Sequence, residues 1–127
     1  MKISTEKFNT LVSEAIDSLP EHFQEKINNL AFFVEDFPTK EQLGKVNRKG
    51  RHELLGLFEG YIQSSRKNFG VVLPDRITIF QIPMMENCQS EEEIREKIAK
   101  VVRHEIAHHF GSDEEGARKA EKKIAAS

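Results

Sequence analysis

The sequence predicts an α+β domain, on three observations. Residues 3–19 space their apolar side chains for one face of a helix. The middle of the chain carries short β-rich runs set between prolines and glycines. The last third holds one long helical stretch with capping signals at both ends.

The elements follow in order. Phe8, Leu11, Val12, Ala15, Ile16 and Leu19 fall three and four apart and draw one apolar stripe. Pro20 stops that helix or opens the next, because proline is tolerated in a first turn. Phe23, Ile27 and Leu30 carry a helical period onward. At Leu30 the texture changes: residues 30–37 are aromatic and β-rich, Pro38 closes them, and they predict a largely buried strand. Residues 39–52 are polar and charged, with Gly44 and Gly50, and predict a mobile loop where a lid would fit. Residues 54–63 are apolar and punctuated by Gly56 and Gly60. Residues 71–73 and 77–82 predict two facing strands, with Pro74-Asp75 as the turn between them and Pro83 ending the second. Ser90-Glu-Glu-Glu93 is a capping box that opens the longest helix, lined on one face by Ile94, Ile98, Val101 and Val102. Gly111 supplies its C-terminal cap. Ser112-Asp-Glu-Glu115 is a second box, predicting a last helix that runs into Lys123.

With 127 residues the chain suits one domain, residues 1–127, around one core. Nineteen basic residues against twenty-one acidic ones leave a net charge of −2, which argues against a nucleic-acid partner, where a basic stripe is expected. Residues 118–123 are locally basic but alternate with Ala120 and Glu121, as a solvated helix face does. Cys88 is the only cysteine, so neither an intrachain disulfide nor a cysteine zinc cluster can form. No apolar run approaches the ~20 residues of a membrane span, and Met1 to Phe8 has no signal-peptide core. The expectation is a cytoplasmic chain with no membrane partner.

His104-Glu105-Ile106-Ala107-His108 reads H-E-x-x-H. Residues four apart on a helix stand one above the other, so both imidazoles can reach one ion. Zinc accepts neutral histidine nitrogen, keeps one position open for water in catalytic sites, and lowers that water's pKa. Glu105, next to the first histidine, is placed to act as general base and to pass the proton to a leaving amine. At ~100° per residue Glu105 falls in the arc of Ile94, Ile98 and Val101, while Glu96, Lys100 and Arg103 take the outward face. An ionised carboxylate on a core-facing stripe is costly unless it is paired or near a metal. The bland alternative is a helix end whose histidines, His104 and His109 included, merely suit its dipole. A third ligand is needed. The extended spacing falls on Glu114, with Asp113 one residue early, and both acids would also stabilise the start of the last helix.

These residues resemble a small bacterial family of zincin-like metallopeptidases. Phe8-x-x-Leu11-Val-x-Glu14-Ala-Ile-Asp17-Ser-Leu-Pro20-Glu-x-Phe23 is similar to the family's first helices. Asn29 through Val34-Glu-Asp36 is similar to its first strand. Gly56-Leu-Phe-Glu-Gly60 and Leu73-Pro-Asp-Arg-Ile-Thr-Ile-Phe80 resemble its central signatures, and Arg103-His-Glu-Ile-Ala-His-His-Phe-Gly111 its metal helix. The resemblance implies a minimal zincin-like fold, a small mixed sheet packed on an active-site helix. It also implies that the strand at 77–82 runs beside that helix and offers a free edge to an extended peptide. The departure is at the third ligand. The family usually carries Asp where the spacing here gives Glu114, or one residue is missing and Asp113 takes that place.

The function expected is a zinc-dependent peptidase using one Zn²⁺, with a peptide or protein as substrate. The alternative is a non-catalytic metal- or peptide-binding module of the same fold, suggested by the small size. A metal-dependent ribonuclease ranks last, because the chain lacks a third motif histidine and a basic surface. Tyr61 could stabilise an oxyanion but suits packing better, and Met84-Met85 suits the core or an edge.

Overall fold

The computed structural model describes residues 2–27, 30–60 and 75–110. Helix α1 (Thr5–Asp17) starts at Ser4, whose side chain accepts from the Lys7 N–H. It buries Phe8, Leu11 and Val12, as its stripe predicts. Pro20 sits at the N-cap of α2 (Glu21–Lys26), so one helix ends before it and another begins after it. Leu30 lies past that helix, as the first residue of strand β1 (Leu30–Glu35).

Three strands form one mixed sheet in the order β1-β3-β2. Strand β3 (Asp75–Phe80) is central, parallel to β1 and antiparallel to β2 (Gly56–Glu59). Its burial fits that place: Ile77, Thr78, Ile79 and Phe80 are fully buried. Helix α5 (Glu91–Phe110) packs between this sheet and α1. Ile94, Ile98, Val102 and Ile106 face Phe8, Leu11, Ile77 and Ile79 in a single core. Met84 and Met85 are buried in the same core, which confirms their packing role. No helix among the described residues is long and apolar enough to cross a membrane. The α+β class and the small mixed sheet expected from the sequence are both present.

Five local expectations are corrected. Strand β1 is an edge strand and not largely buried: Phe33 is 42% exposed, with the Arg76 guanidinium 4.1 Å above its ring. Residues 39–52 are not a bare loop, since they contain α3 (Lys40–Lys45). Thr39 and Gln42 close a capping box, and Leu43 is buried. Strand β3 ends at Phe80, and α4 (Gln81–Met85) follows at once, with Pro83 in the first turn, where a missing N–H costs nothing. Asp75 is the first residue of β3 rather than a turn residue. The free edge expected on the strand at 77–82 is also absent, because β3 is paired on both sides. The strand at 71–73, the Gly111 cap and the final helix lie outside the described residues.

Candidate metal centre

Helix α5 carries the site. Ser90 Oγ accepts from the Glu93 N–H at 3.2 Å, and the Glu93 carboxylate accepts from the Gln89 N–H at 2.7 Å. The second arm of the box therefore reaches one residue further back than the usual pattern. Three acids in the first turn complement the helix dipole, and His108 and His109 lie in the last turn, where a positive charge is favoured.

His104 and His108 stand on successive turns. Their ring centroids are 4.9 Å apart and the planes nearly perpendicular, at 86°. Both line a cavity of about 670 Å³ between α5 and the chain around β2. Glu105 lines the same cavity, yet it is only 8% exposed. Its Oε1 accepts the backbone N–H of Phe58 at 3.1 Å. The inward placement expected from the helical wheel is present, and the polar partner that a buried carboxylate requires is a strand amide.

That contact depends on Gly56. A Cβ there would lie 2.8 Å from Val101 Cγ1 and 3.3 Å from Glu105 Cγ. Only a glycine lets β2 approach α5 so closely. Its signal was legible as a glycine within an apolar strand, but the sequence alone does not show what the backbone approaches.

His109 is absent from the cavity lining. Its Nδ1 lies 2.7 Å from Asp75 Oδ2, and the two side chains are 15% and 5% exposed. The ring also meets Phe58 edge-on at 5.9 Å. This pair fastens the last turn of α5 to the central strand β3. Read from sequence alone, His109 belongs to a dipole-favoured helix end and Asp75 to a turn. Nothing local in the sequence links two residues so far apart.

Asp113, Glu114 and Tyr61 lie outside the described residues. Among the described residues no group of three or more His, Cys, Asp or Glu side chains could hold a metal ion. What is described fits part of a zinc site. Two imidazoles at i and i+4 share one cavity, with an anchored carboxylate between them and helix turns that fix their spacing.

A mixed sheet packed on a helix that bears H-E-x-x-H defines a zincin-like architecture. The family model of zincin-like metallopeptidases matches residues 27–123, and the chain belongs to that family. The likeness of residues 8–23 lies outside the matched segment. A search of curated proteins finds no match.

Proposed function

We propose that this chain is a zinc-dependent peptidase in which His104, His108 and either Glu114 or Asp113 hold one ion and Glu105 is the general base. The observation that carries this reading is Glu105: a nearly buried carboxylate in the cavity lined by both histidines, held by the Phe58 amide. A zinc ion in this position would supply a Lewis acid that polarises a water molecule and the substrate carbonyl.

The protein's own groups perform the rest. The Phe58 N–H fixes the Glu105 carboxylate, so its orientation is set before substrate arrives. Glu105 takes a proton from the attacking water as the water oxygen bonds to the peptide carbon. It returns that proton to the amide nitrogen as the C–N bond breaks. Leu55, Leu57 and Val101 give the cavity an apolar wall. Because β3 is paired on both sides, the edge that would serve an extended peptide is that of β2, which among the described residues pairs with β3 alone and whose residues line the cavity.

The test is metal analysis of the purified protein followed by cleavage of a peptide library, with Glu105→Gln as control. Bound zinc, with cleavage that disappears in Glu105→Gln, supports the reading. Equal cleavage by wild type and variant refutes it. Zinc bound with its whole coordination shell filled by protein, and no cleavage, favours the non-catalytic binding module.

A further inference from the structure

The cavity that holds the two histidines is not lined evenly. Its apolar wall comes from Leu54, Leu55, Leu57 and Val101. Its charged lining, apart from the motif residues, is wholly cationic among the described residues: Arg48, Lys97 and Lys100. Glu105 is the sole acid in that lining, and it is turned to the Phe58 amide. None of the three cations is in an ion pair with a described residue. Lys97 donates to the Glu86 carbonyl oxygen at 3.2 Å, a neutral acceptor.

The placement of these cations is structural. Lys97, Lys100 and His104 follow one another at three- and four-residue spacing, so they share a strip of α5. At 1.5 Å of rise per residue, Lys100 stands about 6 Å and Lys97 about 10 Å along the axis from His104. An extended peptide advances about 3.3 Å per residue, so those charges fall roughly two to three residues from the bond held at the histidines. Arg48 comes from a different element, the chain that follows α3. It follows α3 in a Schellman cap: the Arg48 N–H donates to Leu43 O at 3.0 Å and the Asn47 N–H to Gly44 O at 3.3 Å. Asn47 takes the left-handed conformation this cap needs, at φ 55°. The backbone under Arg48 is thus fixed by hydrogen bonds.

We propose that Arg48, Lys97 and Lys100 form a carboxylate-recognition subsite, so that the substrate is a peptide bearing an acidic group two to three residues from the scissile bond. This rests on the peptidase reading above and names its substrate class. The carboxylate is either an Asp or Glu side chain or the free C-terminus of a short peptide. Charge complementarity selects the anion, and the leucine wall selects a peptide over a nucleic acid, whose backbone offers little apolar surface.

The test is binding, measured by fluorescence anisotropy on full-length Glu105→Gln with and without added zinc. Four probes are compared: a neutral C-terminally amidated peptide, the same peptide with one Glu, the neutral peptide with a free C-terminal carboxylate, and a short single-stranded oligoribonucleotide. One of the two carboxylate-bearing peptides is expected to bind about tenfold tighter than the neutral amide, the size of one charge-assisted hydrogen bond. Which of the two it is identifies the source of the carboxylate. Lys100→Glu and Arg48→Glu, each made in the Glu105→Gln background and checked for unchanged melting, should erase that ratio. Equal binding of all peptides, no peptide binding, a ratio that survives both reversals, or tighter binding of the oligoribonucleotide than of any peptide each overturns the proposal. Cleavage by the wild-type chain separates the two claims. Acidic peptides bound but never cut leave the subsite standing and remove the peptidase. Peptides cut without regard to charge do the reverse.

Discussion

The two faces of α5 follow opposite rules. One face is Ile94, Ile98, Val102 and Ile106, fully buried against α1 and the sheet. The other is Lys97, Lys100, Val101, His104 and His108, which line the cavity. Glu105 sits at the seam, nearly buried like the first face but part of the cavity like the second. The first face is decided by area removed from water and would accept any apolar set of similar volume. The second is decided by where charges and lone pairs stand, so it is specific atom by atom. The difference teaches that the helix is a rigid carrier: the core face holds its axis still so that the cavity face can hold a geometry.

The sharpest way to break this comparison is to disable one face at a time. Glu105→Gln keeps the side-chain shape and can still accept the Phe58 N–H, but it cannot carry a proton. Peptide turnover should fall by about 10²- to 10⁴-fold, the usual contribution of a general base, with little change in melting temperature or zinc content. A large loss of stability instead would mean that the carboxylate is chiefly structural. Ile98→Ala does the opposite. It empties a fully buried position on the core face and should cost about 2–5 kcal/mol in chemical denaturation. If the helix is a rigid carrier, the folded fraction of Ile98→Ala should bind zinc nearly as well as wild type.

The seam can be tested from the strand side. In Gly56→Ala the added methyl meets Val101 Cγ1 at 2.8 Å, and a β-branched side chain has few rotamers to retreat into. Strand β2 must then move away from α5 and draw the Phe58 amide off Glu105. The expected cost is about 1–3 kcal/mol of stability, together with a drop in turnover. Adding Val101→Ala removes the obstructing atom, so the double variant should recover part of both losses. Additive losses would show that Gly56 is needed for another reason.

How much of this was legible in the sequence depended on the range of the interaction. The apolar stripes of α1 and α5 and the inward turn of Glu105 are local, set by helical period, and they could be read. So could the mixed α and β character. Helix α3 has its capping pair, Thr39 and Gln42, in plain view in the sequence, but glycine and charge across residues 39–52 mask so short a helical signal. Strand β1 was expected to be more buried than it is, because apolar composition does not say which strand takes the sheet's edge. The Asp75–His109 pair, the Phe58 amide on Glu105 and the gathering of Arg48 with Lys97 and Lys100 are all tertiary. Lys100 shows the limit well: the helical wheel put it on the outward face, and it is exposed, but outward at that point means into the cavity.

The smallest expected effect concerns the ground under Arg48. Helix α3 is fastened to β2 through Glu59, which accepts from Gln42 at 3.0 Å and from Lys45 Nζ at 2.6 Å. Burial pushes the Glu59 carboxyl up, but the hydrogen bonds from Lys45 and Gln42, with the charges of Lys45 and Arg76, outweigh it and hold the group below its ordinary value of 4.5. A carboxyl lowered in the folded state stabilises the fold fully above its unfolded value. That contribution is lost as pH falls from about 4.5 through the lowered folded value. Lys45 is largely exposed, so solvent screens the pair and its worth is below about 1 kcal/mol. Glu59→Gln should therefore lower the melting temperature slightly near neutral pH and should melt with a flatter pH profile below about 4.5. In the acidic-peptide binding assay the same variant should weaken the preference only modestly, because Arg48 keeps its charge and loses only part of its support. A preference as strongly reduced as in Arg48→Glu would mean that α3 positions the cavity's cationic wall far more tightly than one screened ion pair can explain.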